Sequence, residues 1–275
     1  MELPEVENVL KTLPPALARR HIRQILIRFP ERVFHCTPAA LRRGLRGARL
    51  AGLGRRGKFL LFRLSNGQAL VWHLGMSGRV AAGPSLSPRK HLLMAMKLDD
   101  GRFIKLYDAR RFGRIGLADL RALPSHPFFR RLGPEYDDSQ LTVRVLVQST
   151  RRFRKKSVKE ALLDQSFVAG LGNIYASEVL HDARIDPRRP VRSLSSMELR
   201  RLLASIRSVL DDAIACGGTS VRDYVDAGGR KGGYQHRLKV YRREGLACLR
   251  CGRKSGVVRS VQSGRSTFYC PRCQR

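Results

Sequence analysis

Apolar residues at Val6, Val9, Leu10, Leu13 and Leu17 fall three and four apart, the spacing that lines one face of a helix, so residues 3–17 are predicted helical. Pro4 fits the first turn, where a missing N–H costs little, and Pro14-Pro15 ends the run. Beyond residue 22 the pattern shortens. Ile22–Phe29, Ala48–Leu53, Phe59–Leu64, Ala69–Leu74, Leu92–Leu98 and Phe103–Tyr107 read as strands, with Asn66-Gly67 and Asp100-Gly101 as hairpin turns, and Leu41–Leu45 as a short helix after Thr37. Even spacing of such strands predicts an antiparallel sandwich or barrel. From residue 141 the period lengthens again, through Leu141–Val147, Lys156–Leu163, Asn173–Leu180 and Ser196–Ile214. Ser157 with Glu160 and Ser195 with Glu198 have capping-box spacing, which marks where two of these helices begin. Strands followed by helices predict an α+β protein.

The proline-rich, acidic stretch Pro124–Ser139 reads as the linker between the two regimes. The expected division is 1–130 as a β-sandwich domain, 131–140 as linker, 141–235 as a helical domain and 236–275 as a small terminal module. A chain of 275 residues can bury a core in each of the two larger parts, and 43% hydrophobic content excludes wholesale disorder. No run of eighteen apolar residues and no amphipathic leader is present, so an intracellular, soluble protein is expected.

Charge narrows the partner. Lys and Arg number 54 against 22 Asp and Glu, a formal net charge of +32. Such an excess repels itself in a folded chain, and a phosphate backbone is the simplest compensation. Ribosome association or an arginine-rich genome would also raise the count. The basic residues are spread along the chain rather than gathered in a tail, which favours a folded surface that embraces nucleic acid.

The last residues carry the sharpest chemical signal: Cys248-x-x-Cys251 and Cys270-x-x-Cys273, separated by eighteen residues. Four thiolates in two close pairs suit one tetrahedral Zn²⁺, with the spacer forming a hairpin through Val257–Val261, a turn at Ser263-Gly264 and a return through Thr267–Tyr269. Four protein ligands leave no position for catalytic water, so the ion is structural. A metal-free disulfide arrangement is the alternative. Cys36 and Cys216 stand alone and read as packed thiols.

Two glycine-rich segments exceed what packing requires. Gly170-Leu171-Gly172-Asn173 separates two helical runs, either as a plain turn or as a set of amide donors for a phosphate. Gly217-Gly218 and Gly228-Gly229-Arg230-Lys231-Gly232-Gly233 flank Thr219–Ala227, which is either an ordinary surface loop or one able to close over a ligand.

Several short motifs, in one order from residue 2 to residue 274, carry a family resemblance. They are Glu2-Leu3-Pro4-Glu5-Val6-Glu7, Lys58, His73-Leu74-Gly75-Met76-Ser77-Gly78, Arg110-Arg111-Phe112-Gly113, Gly172-Asn173-Ile174-Tyr175-Ala176-Ser177-Glu178 and the terminal cysteines. Together they resemble bacterial formamidopyrimidine-DNA glycosylase. The resemblance implies an N-terminal β-sandwich flanked by helices, a helix-two-turn-helix domain and a zinc-ribbon hairpin, in a monomer that holds damaged duplex DNA. It implies excision of oxidised purines and strand cleavage by β,δ-elimination in the bacterial cytoplasm. Related enzymes favouring oxidised pyrimidines, and a nonenzymatic zinc-ribbon DNA-binding protein, are the alternatives.

Site residues carried over from the family fall into four groups. An N-terminal α-amine acts as nucleophile, with Glu2 as the catalytic carboxylate, Glu5 orienting the terminus or capping the helix, and Lys58 near the site on a phosphate. Met76, Arg110 and Phe112 fill the gap left by an everted nucleotide, while His73 serves as a phosphate contact or loop support. Asn173 and Arg265 grip flanking phosphates, with Lys156 and Tyr241 on the DNA-facing surface. Thr219, Ser220, Val221, Arg222, Asp223 and Tyr224 resemble the damaged-base loop.

One departure touches the chemistry. The family opens Met-Pro-Glu-Leu-Pro-Glu and uses the proline exposed when Met is removed, whereas this chain reads Met1-Glu2-Leu3-Pro4-Glu5. Glu2 is too large for efficient removal of Met1, so the terminal amine expected here is that of Met1, primary but still able to form a Schiff base. An engineered replacement of the proline, a natural use of Met1, and a protein that binds lesions without efficient excision are the three explanations. A smaller departure is Ala109, where the family has proline, and a less rigid presentation of Arg110 is expected.

Overall fold

The computed structural model describes all residues except 88–89, 221–223 and 255, and it divides into two compact units. The first comprises Met1–Arg131 together with Cys216–Gly233, and the second comprises Leu132–Ala215 together with Tyr234–Arg275.

The first unit opens with helix α1, Leu3–Thr12, shorter than the apolar spacing suggests because a separate 3-10 turn at Pro15–Leu17 follows the Pro14 break. Eight strands follow: β1 Ile22–Ile27, β2 Leu50–Arg56, β3 Phe59–Leu64, β4 Gln68–His73, β5 Gly78–Gly83, β6 Leu92–Leu98, β7 Phe103–Asp108 and β8 Arg114–Asp119. Helix α2, Pro38–Leu45, lies between β1 and β2, and the Thr37 hydroxyl caps it by accepting the Ala40 N–H at 3.1 Å. The strands form two antiparallel four-stranded sheets, in the orders β1-β6-β7-β5 and β2-β3-β4-β8.

One hydrophobic core holds the inward residues of both sheets and of both helices. Ile22, Met96 and Ile104 meet it from one sheet, Phe62, Leu70 and Trp72 from the other, and Val6, Val9, Leu41 and Leu45 from the helices. This is a β-sandwich flanked by helices. Strands β5 and β8 were not marked by the sequence pattern. Their residues, Gly-Arg-Val-Ala-Ala-Gly and Arg-Ile-Gly-Leu-Ala-Asp, have weak intrinsic strand preference, and pairing along β7 and β4 holds them extended.

The second unit contains helices α3 Val143–Arg152, α4 Val158–Leu163, α5 Asn173–Asp182 and α6 Ser196–Ala215. Both capping boxes form: Ser157 Oγ accepts the Glu160 N–H at 3.3 Å and Glu160 accepts the Ser157 N–H at 2.8 Å, with Ser195 and Glu198 paired in the same way at 3.2 and 2.8 Å. Arg189 binds Glu198 at 2.5 Å and holds its carboxyl down to about 2. The unit ends in a hairpin of β9, Val258–Gln262, and β10, Arg265–Tyr269. Ser263 and Gly264, at φ 48° and 70°, make the two-residue turn at the position the sequence predicts. No helix among the described residues is long and apolar enough to cross a membrane.

Candidate active site

Met1 sits against the sandwich core, and its α-amine donates to the Gly75 carbonyl. Burial pushes the pKa of that amine below its ordinary value, opposed by the charges of Glu5 and Glu2, assisted by Lys58 and opposed again by Asp108. A desolvated amine loses its proton more readily, and an amine is nucleophilic only in its neutral form. Lys58 occupies the tight turn between β2 and β3, after Gly57 at φ 55°.

Glu2 is the residue before α1, and Glu5 returns a carboxylate oxygen to the Glu2 N–H at 2.8 Å. The other oxygen of Glu5 accepts the Thr219 N–H at 2.9 Å, and the Tyr224 hydroxyl donates to the Glu5 carbonyl at 3.3 Å. Gly218, at φ 80°, allows this approach: a Cβ there would lie 3.2 Å from the Glu5 side chain. Glu5 is therefore buried and fixed between the N-terminus and the segment that begins at Cys216. Burial, with the charges of Glu5 and Asp226, pushes the Tyr224 hydroxyl well up, so it stays protonated as a donor. Ser220 donates to the Tyr224 carbonyl and accepts the Gly232 N–H, each at 2.8 Å, which closes the base of this loop. Val221, Arg222 and Asp223 lie outside the described residues.

His73 ends β4 and accepts the Gly75 N–H at 3.3 Å. Burial first, then the positive charges of the terminus, Lys58 and Arg114, push its pKa down to about 4. It is neutral at physiological pH, supports the Gly75 loop, and gives a phosphate no ionic partner.

Met76 and Phe112 are 61% and 48% exposed. Their loops touch: Gly75, at φ 63°, lies so close to the Phe112 backbone that a Cβ would come within 2.9 Å of it. The Arg110 guanidinium stacks 4.8 Å from the centre of the Phe112 ring. Asp108 organises this group although the sequence did not single it out. One oxygen accepts the Ser77 hydroxyl at 2.5 Å and the Arg110 N–H at 3.2 Å, and the other accepts the Gly113 N–H at 2.6 Å. The carboxylate thus fixes the backbone of Arg110 where Ala109 replaces proline. An Asp followed by a glycine-terminated loop is the signal that could have found it.

In the second unit Asn173 opens α5, where first-turn N–H groups lack helical partners, and its Nδ2 donates to the Ser266 carbonyl at 2.9 Å. That bond joins the helix start to the strand carrying exposed Arg265. Tyr241 packs its ring 5.1 Å from that of Phe268. Lys156 is paired with Asp164 at 2.6 Å. Glu178, to which the motif assigns no separate role, accepts the N–H groups of Lys239, Val240 and Tyr241 at 2.8, 3.0 and 2.8 Å. Burial pushes its pKa up against those bonds, and the carboxylate anchors the chain entering the terminal module.

Cys248, Cys251, Cys270 and Cys273 bring their sulfurs within 4.8 Å of one another. Cys248 and Cys273 are 3.8 Å apart, and Cys251 and Cys270 are 3.9 Å apart. A tetrahedron with metal–sulfur bonds of about 2.3 Å has sulfur–sulfur edges of about 3.8 Å, so the cage fits a metal ion of that kind. These separations are far longer than a disulfide's, and all four thiols are free. His181 Nε2 lies 3.6 Å from the Cys248 sulfur, as an outer partner would.

A terminal amine thus lies beside carboxylates on the sandwich unit, and the helical unit carries a four-cysteine ribbon. Three family models match in order: the formamidopyrimidine-DNA glycosylase N-terminal domain over residues 1–115, its H2TH domain over 132–225, and the zinc finger found in FPG and IleRS over 245–275. The formamidopyrimidine-DNA glycosylase of Desulforamulus reducens is 42% identical, covering 100% of this chain and 99% of that protein. Among solved structures, the MutM (Fpg) protein of Thermus thermophilus is 40% identical with a TM-score of 0.88, over 100% and 98% of the two chains. The Lactococcus lactis Fpg in complex with abasic-site DNA is 33% identical with a TM-score of 0.91, over all of both chains. The chain belongs to the formamidopyrimidine-DNA glycosylase family.

Proposed function

We propose that this chain removes oxidised purines from duplex DNA, 8-oxoguanine opposite cytosine and formamidopyrimidines, and then cleaves the strand, using the α-amine of Met1. The buried amine with a depressed pKa, placed among Glu2, Glu5 and Lys58, is the observation that carries the reading. The amine lone pair attacks C1′ as the C1′–N bond breaks, and the base leaves with that electron pair and a proton. Glu2 takes the amine's proton and assists ring opening, giving an imine that acidifies the C2′ hydrogen. Loss of that proton expels the 3′ phosphate, and a second elimination expels the 5′ phosphate.

Met76, Arg110 and Phe112 fill the stack vacated by the everted nucleotide, and their shared scaffold on Asp108 supports that role. Arg110 donates to the orphaned cytosine. Lys58, Asn173 and Arg265 hold phosphates, with Lys156 and Tyr241 further along the backbone. Residues 219–224 contact the damaged base. The four cysteines hold one structural Zn²⁺, which fixes the hairpin carrying Arg265. The protein works as a cytoplasmic monomer on the nucleoid, drawn there by its positive charge.

Incision of matched duplexes tests the reading. 8-Oxoguanine opposite cytosine should be cut in preference to 8-oxoguanine opposite adenine and to thymine glycol. Preference for thymine glycol rejects the purine assignment, and lesion-independent binding without incision rejects the enzyme.

A further inference from the structure

The outer face of the β1-β6-β7-β5 sheet carries a groove that no step of the repair reaction uses. Register decides which residues face it. Ile25 pairs with Met96 and Met96 with Ile104, the latter two buried in the sandwich core. The alternate rows, Gln24–Lys97–Phe103 and Leu26–Ala95, therefore point outward. Leu86 from the segment after β5 packs beside Ala95 and Phe103, and a cavity of about 900 Å³ opens between this apolar floor and α2.

Every charged residue on its rim is basic, with Gln24 the one neutral polar side chain among the described lining residues. Arg42, Arg43 and Arg46 come from the end of α2, Arg23 from β1 and Lys97 from β6. No acidic residue lines the groove, and none of these five cations is ion-paired among the described residues. Leu26 stands 39% exposed on the floor. Four guanidiniums match carboxylates bidentately, while an apolar floor gives phosphodiesters nothing to bury. A duplex backbone fits such a rim but leaves the floor empty.

We propose that this groove docks an acidic peptide segment of a partner protein, with a carboxylate run on the arginines and an aromatic or large aliphatic anchor against Leu26, Leu86 and Phe103. Cationic rims that read acidic motifs around a desolvated anchor recur in peptide recognition. The partner would travel with the enzyme on DNA without touching Met1 or the exposed Met76 loop, since neither lines the groove.

The test uses the full chain and a fluorescein-labelled peptide, Asp-Asp-Glu-Asp-Leu-Phe, with binding read by anisotropy at low and high salt. Saturable binding is expected, weakened by salt and by about tenfold in the R42E/R46E double variant. Replacing the peptide's Leu-Phe by Gly-Gly, or Leu26 by Ser, should cost a similar factor through the lost apolar contact. Incision by both protein variants should match the parent, which shows that they fold. Absent binding, affinity indifferent to these changes, or a groove that prefers a single-stranded oligonucleotide to the peptide overturns the proposal.

Discussion

Glu5 and Thr219 are joined by a hydrogen bond of 2.9 Å from the Thr219 amide to Glu5 Oε1, across 214 residues of sequence. The other carboxylate oxygen holds the Glu2 amide, so one buried side chain fixes both the N-terminus and the start of the segment that begins at Thr219. Glu5→Ala leaves two donors without their acceptor and should cost roughly 2–4 kcal/mol of stability. Urea denaturation measures it. Incision should fall in Glu5→Ala and recover partly in Glu5→Gln, which keeps one acceptor; equal loss in both variants would point to charge rather than positioning.

The depressed amine pKa sets the direction of the pH profile. In the proposed mechanism only the neutral amine attacks, so single-turnover imine formation should rise with pH and level off below the ordinary α-amine value of about 8. Lys58 helps to lower that pKa, so Lys58→Ala should move the inflection to higher pH at saturating DNA. An inflection unmoved by the substitution would separate Lys58 from the amine.

Met76 and Phe112 expose their side chains, so their loss should barely affect folding. Met76→Ala and Phe112→Ala are expected to change stability by no more than about 0.5 kcal/mol while lowering incision by an order of magnitude or more. Thermal unfolding and steady-state incision, measured on the same samples, check the split. A large fall in Tm would mean that these residues support the fold instead.

Cys248→Ser should release zinc and unfold the hairpin, because structural zinc contributes about 10–16 kcal/mol of apparent binding free energy in small modules. DNA affinity should fall, and chelation of the parent protein should reproduce the loss. Unchanged zinc content and affinity in the variant contradict the structural assignment.

Legibility in the sequence followed the strength of local signals. Phe59–Leu64 and Leu92–Leu98 are dense in large apolar residues, and both appear as strands at the expected bounds. Gly78–Gly83 and Arg114–Asp119 carry only Val80, Ile115 and Leu117 of that kind among glycines, alanines and charges, and are extended because β7 and β4 pair with them. The four cysteines were readable because metal geometry dictates their spacing. Glu178 was not, since a carboxylate that gathers backbone amides looks in sequence like any other acid, and Asp108 left only the weak signal of an acid followed by a glycine-terminated loop. The link between Glu5 and Thr219 depends on a contact that no local pattern encodes. Family motifs carried what periodicity could not, above all for Met76 and Phe112, which their apolar character alone assigns to a core.

Borohydride trapping on duplex DNA containing 8-oxoguanine opposite cytosine, followed by peptide mapping, tests the central claim most directly. The account predicts one covalent adduct on the α-amine of Met1, abolished by prior acetylation of that amine. An adduct on a lysine side chain, or tight binding without any adduct, would contradict it.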